Sequence, residues 1–156
     1  MGKEIERKFL LNHAEWGKVE KPAGKHFRQG YISTDPAKTI RVRATESTGW
    51  LTIKGMSVGA TRLEYEYEIP LTEAIELLDN FSESELEKTR YEIKFCDKLW
   101  EVDVFSGRNE GLIVAEIELL SESEQFKLPV WVADEVTHNK RYYNSNLTSH
   151  PFQDWE

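Results

Sequence analysis

Charged residues recur two positions apart along this chain, in sets sorted by sign. Glu4, Glu6 and Lys8 form one set, Arg41 and Arg43 another, and Thr52 with Lys54 a third. Arg62, Glu64, Glu66 and Glu68 follow, then Lys88, Arg90 and Glu92, then Glu101 with Asp103, then Glu116 with Glu118. Paired carboxylates are oxygen donors for hard divalent cations. Paired lysines and arginines clamp the oxygens of an anion. A cavity lined by both would suit a metal–polyphosphate complex, because the metal neutralises part of the phosphate charge and the bases hold the remaining oxygens.

A spacing of two is the spacing of one strand face. Strands are predicted at about 3–11, 25–33, 38–46, 49–55, 61–70, 88–96, 98–105 and 112–120, with boundaries good to ~2–4 residues. Opposite the charged sets stand Ile5 and Phe9, Ile40 and Val42, Leu51 and Ile53, Leu63, Tyr65 and Tyr67, Trp100, Val102 and Val104, and Ile113, Ala115 and Ile117. Residues 72–80 read as a helix capped by Thr72, with a short turn near 82–86 and a helix near 13–18. Helices are also expected from Trp131 and over 141–147, and Asp97-Lys98 marks a hairpin turn.

The alternation alone fits an antiparallel sheet with one solvated polar face. Two features favour a closed barrel with the charges inside. Nearly every polar-face position carries a full charge, although Glu and Lys are depleted in strands. The signs are also ordered by strand, where a solubilising surface would mix them. Such a lumen is tolerable only if it is hydrated, paired and completed by ligands. The apolar face then points outward and calls for covering helices.

The chain has 156 residues with 28 acids against 20 bases, a net charge of −8. That length suits one domain, 1–156. The acidic balance argues against non-specific nucleic-acid binding. The single cysteine, Cys96, excludes an internal disulfide, fits a reducing compartment and is expected to be buried in a strand. No signal peptide or membrane-length apolar run is present, so the expected location is cytoplasmic. Four scattered histidines give no metal spacing, and Gly24-Lys25 lacks the rest of a P-loop.

Glu4-Ile5-Glu6-Arg7-Lys8-Phe9 resembles the N-terminal signature of the CYTH superfamily, the triphosphate tunnel metalloenzymes. Gln29-Gly30-Tyr31-Ile32, Arg41-Val42-Arg43, Leu51-Thr52-Ile53-Lys54-Gly55, Arg62-Leu63-Glu64-Tyr65-Glu66, Lys88-Thr89-Arg90-Tyr91, Trp100-Glu101-Val102-Asp103 and Ala115-Glu116-Ile117-Glu118-Leu119 follow in the family's order. The resemblance extends through Trp131–Thr137 and Arg141–Asn144 and covers nearly the whole chain. Asn139 departs from it, since many relatives carry Asp there.

The resemblance implies an α+β, mainly β fold: an eight-stranded antiparallel β-barrel, or tunnel, with helices packed outside. It implies a divalent-metal-dependent hydrolase of the small bacterial inorganic triphosphatase type, cleaving tripolyphosphate to pyrophosphate and phosphate with Mg²⁺ or Mn²⁺. Metal-binding acids would be Glu4, Glu6, Glu116 and Glu118, with Glu64, Glu66 and Asp103 organising the cations or a metal-bound water. Phosphate ligands would be Lys8, Arg41, Arg43, Lys54, Arg62, Lys88 and Arg90. Tyr31 would form a catalytic or substrate-orienting dyad with Lys8, or else be an ordinary strand aromatic. In-line attack of a metal-activated water is the expected route. Other readings on the same scaffold are a class IV-type adenylate cyclase, a thiamine or nucleoside triphosphatase, or a non-catalytic polyphosphate-binding module. The expected partner is a small-molecule triphosphate, with no nucleic acid and no membrane, on a monomer or homodimer. The seven bases and seven acids of this set cancel, so the whole net charge would lie outside the lumen. Triphosphate affinity should then depend steeply on metal.

Overall fold

Wherever the sequence alternates strictly, the chain is extended. A computed structural model describes residues 2–155. It contains β1 (Lys3–Leu11), β2 (Lys25–Ser33), β3 (Thr39–Ala44), β4 (Gly49–Lys54), β5 (Thr61–Ile69), β6 (Ser84–Phe95), β7 (Lys98–Phe105) and β8 (Ile113–Glu118). The order is β5-β4-β3-β2-β6-β7-β8-β1, every pairing is antiparallel, and β5 returns to β1 to close the barrel. Closure rests on three residue pairs, Lys3–Leu63, Glu4–Arg62 and Ile5–Thr61.

Beyond those pairs the same edge of β1 has backbone groups left to satisfy. A ninth strand, β9 (Val132–Glu135), takes them, with Asn12 N–H donating to Trp131 O and Val136 N–H to Lys8 O. The helix expected from Trp131 is therefore a strand: an open edge outweighs local helix propensity. The helical turn expected near 82–86 is also replaced. Ser84 already pairs with Tyr31 as β6 begins, and Glu83 N–H donates to Tyr31 O.

Helix α1 (His13–Trp16) starts at Asn12, whose side chain accepts from Glu15 N–H. Helix α2 (Leu71–Phe81) starts one residue before the expected range, directly after Pro70, so Thr72 does not cap it. Helix α3 (Asn144–Ser149) follows a short 3₁₀ turn at Lys140–Tyr142. Asn139 Oδ1 accepts from Arg141 N–H at the head of that turn. An Asp there offers the same oxygen.

The hairpin between β6 and β7 turns on Cys96 and Asp97, with φ of 49° and 63°. Positive φ at both central residues is the signature of a type I′ turn. It places Cys96 at an exposed tip, not buried in a strand as expected.

The outward apolar face is covered in two places. Trp16 and Trp131 pack on Phe9, Trp100, Val102, Ala115 and Ile117, and the Trp100–Trp131 and Phe9–Trp100 rings meet edge to face. Helix α2 seats Ala74 and Leu78 on Val42 and Ala44. Ile69 at the end of β5 joins the α2 cluster, but Leu63, Tyr65 and Tyr67 remain exposed, so the expected helical cover is incomplete.

Inside, the inward rows turn apolar at one end. Leu10, Leu86, Phe105 and Val114 continue the charged rows and meet Leu112 from the loop before β8 and Leu147, which α3 inserts as a plug. Leu147 is fully buried. Leu147→Ala should lower stability by about 2–5 kcal/mol, read by urea denaturation. Unchanged stability would show that α3 does not anchor the plug.

Candidate active site

Adjoining strands bring the charged rows to one cavity of about 540 Å³. Its walls include Glu4, Glu6, Lys8, Tyr31, Arg41, Arg43, Lys54, Arg62, Glu64, Glu66, Lys88, Arg90, Glu116 and Glu118. Of the sequence-predicted site residues, Asp103 alone is outside that lining. It is 1% exposed behind the wall, with Oδ1 accepting from Arg90 Nε at 2.8 Å and Oδ2 from Lys88 Nζ at 2.8 Å. Both oxygens are engaged by bases, which favours a role in holding those bases.

The cations gather towards the plug. Lys8, Arg41, Arg43 and Lys88 are all buried. Burial comes first in lowering the Lys88 ammonium to about 7; Asp103 opposes it, while Arg90 and Arg43 add to it. Burial likewise pushes Arg43 down, with Arg41 and Arg90 adding to the effect. Arg41 donates from Nη2 to Thr52 at 3.1 Å and to Glu66 at 3.3 Å, but its Nε is buried without a partner. A buried unpaired N–H is costly. An anion in the lumen would relieve each of these pressures.

The carboxylates crowd towards the other end. Glu6 pairs in register with Glu118, and Glu101 with Glu116. Like charges directly opposite are destabilising. Burial and then the charges of Glu116 and Glu4 raise the Glu6 carboxyl well above its usual range. Glu4 is raised mainly by burial, although Lys54 Nζ lies 3.3 Å away. Glu118 is raised by burial and then by Glu4. Glu116 goes the other way. Burial would raise it, but Lys8, Arg90 and Lys88 outweigh that and hold it well below the carboxylate range. Arg90 Nη2 lies 3.2 Å and Lys8 Nζ 3.7 Å from its oxygens.

Among the described residues no three acidic or imidazole groups converge as a finished metal cage. The carboxylates instead stand in pairs. Mg²⁺-like cations use one or two carboxylates, waters and substrate phosphates, so this donor set fits such an ion arriving with its anion.

Tyr31 lines the cavity, and its hydroxyl accepts from Gln29 Nε2 at 3.1 Å. Lys8 Nζ donates to Tyr142 O at 3.1 Å. Arg62 sits at the rim, donating to Gly55 O at 3.0 Å.

Several residues here escaped the sequence reading. Gln29 Oε1 accepts from Arg43 Nε at 3.0 Å, and Phe27 lies beneath Arg43 and Arg90 with its ring centroid 4.7 and 5.3 Å from their guanidinium carbons. Both share the inward face of β2 with Tyr31, so alternation could have found them. Glu101, which the spacing places beside Asp103 but to which it gives no site role, reaches Arg90 at 3.2 Å and is raised mainly by burial. Thr137, Tyr143, Asn144 and Ser145 also line the cavity. They come from non-periodic sequence and carry no such signal.

The family model described as the CYTH domain matches residues 2–150. The chain belongs to the CYTH family. It is 48% identical to the inorganic triphosphatase of Acetivibrio thermocellus, covering 100% of this chain and 99% of that protein. It is 38% identical to the inorganic triphosphatase of Nitrosomonas europaea, covering 92% and 95% respectively. A solved inorganic triphosphatase superimposes with a TM-score of 0.63 at 35% identity, over 93% of this chain and 97% of that one. The CYTH member described here thus shares its fold with that solved enzyme. No helix of its described residues is long and apolar enough to cross a membrane.

Proposed function

We infer that this CYTH protein is a divalent-metal-dependent hydrolase that cleaves inorganic triphosphate to pyrophosphate and phosphate inside its barrel. The observation that carries the reading is the division of one lumen into a cation-rich end, where Arg41 Nε is buried without a partner, and a carboxylate-rich end, where Glu116 and Glu4 crowd Glu6. The likeness to inorganic triphosphatases over nearly the full length supports the choice of reaction.

Lys8, Arg41, Arg43, Lys88 and Arg90 would hold the phosphate oxygens, with Lys54 and Arg62 nearer the mouth. Glu4, Glu6, Glu116 and Glu118 would hold Mg²⁺ or Mn²⁺, with Glu64 and Glu66 beside them. When bound, such a cation neutralises phosphate charge and lowers the pKa of water. Arg90 and Lys88, fixed by Asp103, meet charge on the equatorial oxygens without reorganising. Tyr31 and Lys8 flank the plug end and would orient the terminal phosphate. The single cysteine suits a reducing compartment, and we assign the protein to the cytoplasm.

A panel of tripolyphosphate, longer polyphosphates, ATP and thiamine triphosphate, each with Mg²⁺ or Mn²⁺, tests the reading. Tripolyphosphate should give phosphate and pyrophosphate, and chelation should stop release. Tight binding without turnover under either metal would replace the hydrolase with a polyphosphate-binding module. Cyclic AMP from ATP would replace it with a cyclase.

A further inference from the structure

The plug segment does more than fill the barrel end. Its residues 142–144 meet two lumen lysines. Lys8 Nζ donates to the Tyr142 carbonyl at 3.1 Å, and Lys88 Nζ donates to Asn144 Oδ1 at 3.1 Å. Lys88 is the most enclosed cation of the site, with no exposed surface. Its ammonium has three N–H donors. One goes to Asp103 Oδ2 at 2.8 Å and one to Asn144 Oδ1, and the Phe105 ring centroid lies 5.7 Å from Nζ. Two acceptors from different elements, β7 and α3, fix the head of an otherwise flexible side chain. One donor is then left for the cavity that Lys88 and Asn144 both line.

With Asp103 alone, the ammonium could rotate about its terminal bonds, and the remaining two donors would sample many directions. A side chain locked by neighbouring hydrogen bonds loses little entropy when it meets a ligand. We propose that Asn144 is a positioning residue that aims the Lys88 ammonium at the bound phosphate, so that the C-terminal plug completes the anion site. The inference rests on the functional reading above and deepens it.

A double-mutant cycle between Asn144→Ala and Lys88→Met tests it. The binding probe is magnesium pyrophosphate, the expected product, titrated by calorimetry; kcat and KM for tripolyphosphate are measured alongside. In the Lys88 background, Asn144→Ala should weaken pyrophosphate binding and lower kcat/KM by about five- to tenfold. In the Lys88→Met background, the same change should matter less than about twofold. Equal losses in both backgrounds, or no loss in the first, would overturn the proposal. Thermal melting verifies that each variant folds. If the alanine variant does not fold, Asn144→Ser supplies a small polar side chain too short to reach Lys88, with the same expectations. A wild-type protein that binds pyrophosphate but releases no phosphate from tripolyphosphate would sink the hydrolase reading, while the binding cycle still decides the role of Asn144. A wild-type protein that binds neither anion overturns both.

Discussion

Glu116→Ala should cut metal-dependent phosphate release by about a thousandfold or more, equivalent to about 4 kcal/mol of barrier. Glu116 stands between the two ends of the lumen. It lies 3.2 Å from Arg90 and 3.7 Å from Lys8, and it faces the crowded Glu6 side. Truncation would remove an oxygen proposed to face the metal, and it takes one carboxylate partner from each of two buried bases, leaving Arg90 with Asp103 and Glu101 and Lys8 with the Tyr142 carbonyl. Breaking a buried ion pair from one side typically destabilises by about 3–5 kcal/mol, so the melting temperature should fall as well. Phosphate release at saturating metal, with circular dichroism to verify the barrel, checks both effects. Full activity in an intact barrel would remove Glu116 from the site.

Glu6→Gln should separate stability from function in the opposite sense. The folded protein raises the Glu6 carboxyl, so above the ordinary glutamate range the native state binds more protons than the unfolded chain. Stability without metal should therefore fall as pH rises through that interval. Glu116 has the other sign: its contribution is present above the unfolded value and is lost only as pH falls towards its depressed one. Glutamine at position 6 abolishes the first contribution and keeps the second. The metal-free variant should melt about 2–4 °C higher near neutral pH for each ~1 kcal/mol of repulsion relieved. A divalent ion at 100 times its dissociation constant should protect the wild type by about 2.7 kcal/mol, and the variant much less. Metal-induced shifts of equal size in both proteins would exclude Glu6 as a ligand.

The barrel was legible because its lumen is polar. Inward glutamates, lysines and arginines alternate with outward isoleucines, valines and aromatics, so period two survives in nearly every strand. The alternation also assigned most of the cavity wall residue by residue. It failed where backbone pairing across the fold made the decision. Val132–Glu135 is a strand because β1 has a vacant edge, and Ser84 extends β6 because β2 does. Asp103 shares the inward spacing of Glu101, yet only the contacts show both its oxygens given to Arg90 and Lys88. Tyr143 and Asn144 are invisible to any periodicity because their place at the cavity depends on where the plug docks.

The shortest seam of the barrel, the three pairs joining β1 to β5, has a mechanical consequence. A hoop under radial load parts at its weakest joint, and like charges crowded in a lumen are such a load. Glu4 and Arg62 face each other across that joint, and Lys54 on the next strand reaches Glu4 at 3.3 Å. Cargo held between these side chains, as the proposed function requires, would act as a rivet through the overlap. The filled barrel would then be a stiffer object than the empty one, with its contents part of its hoop strength.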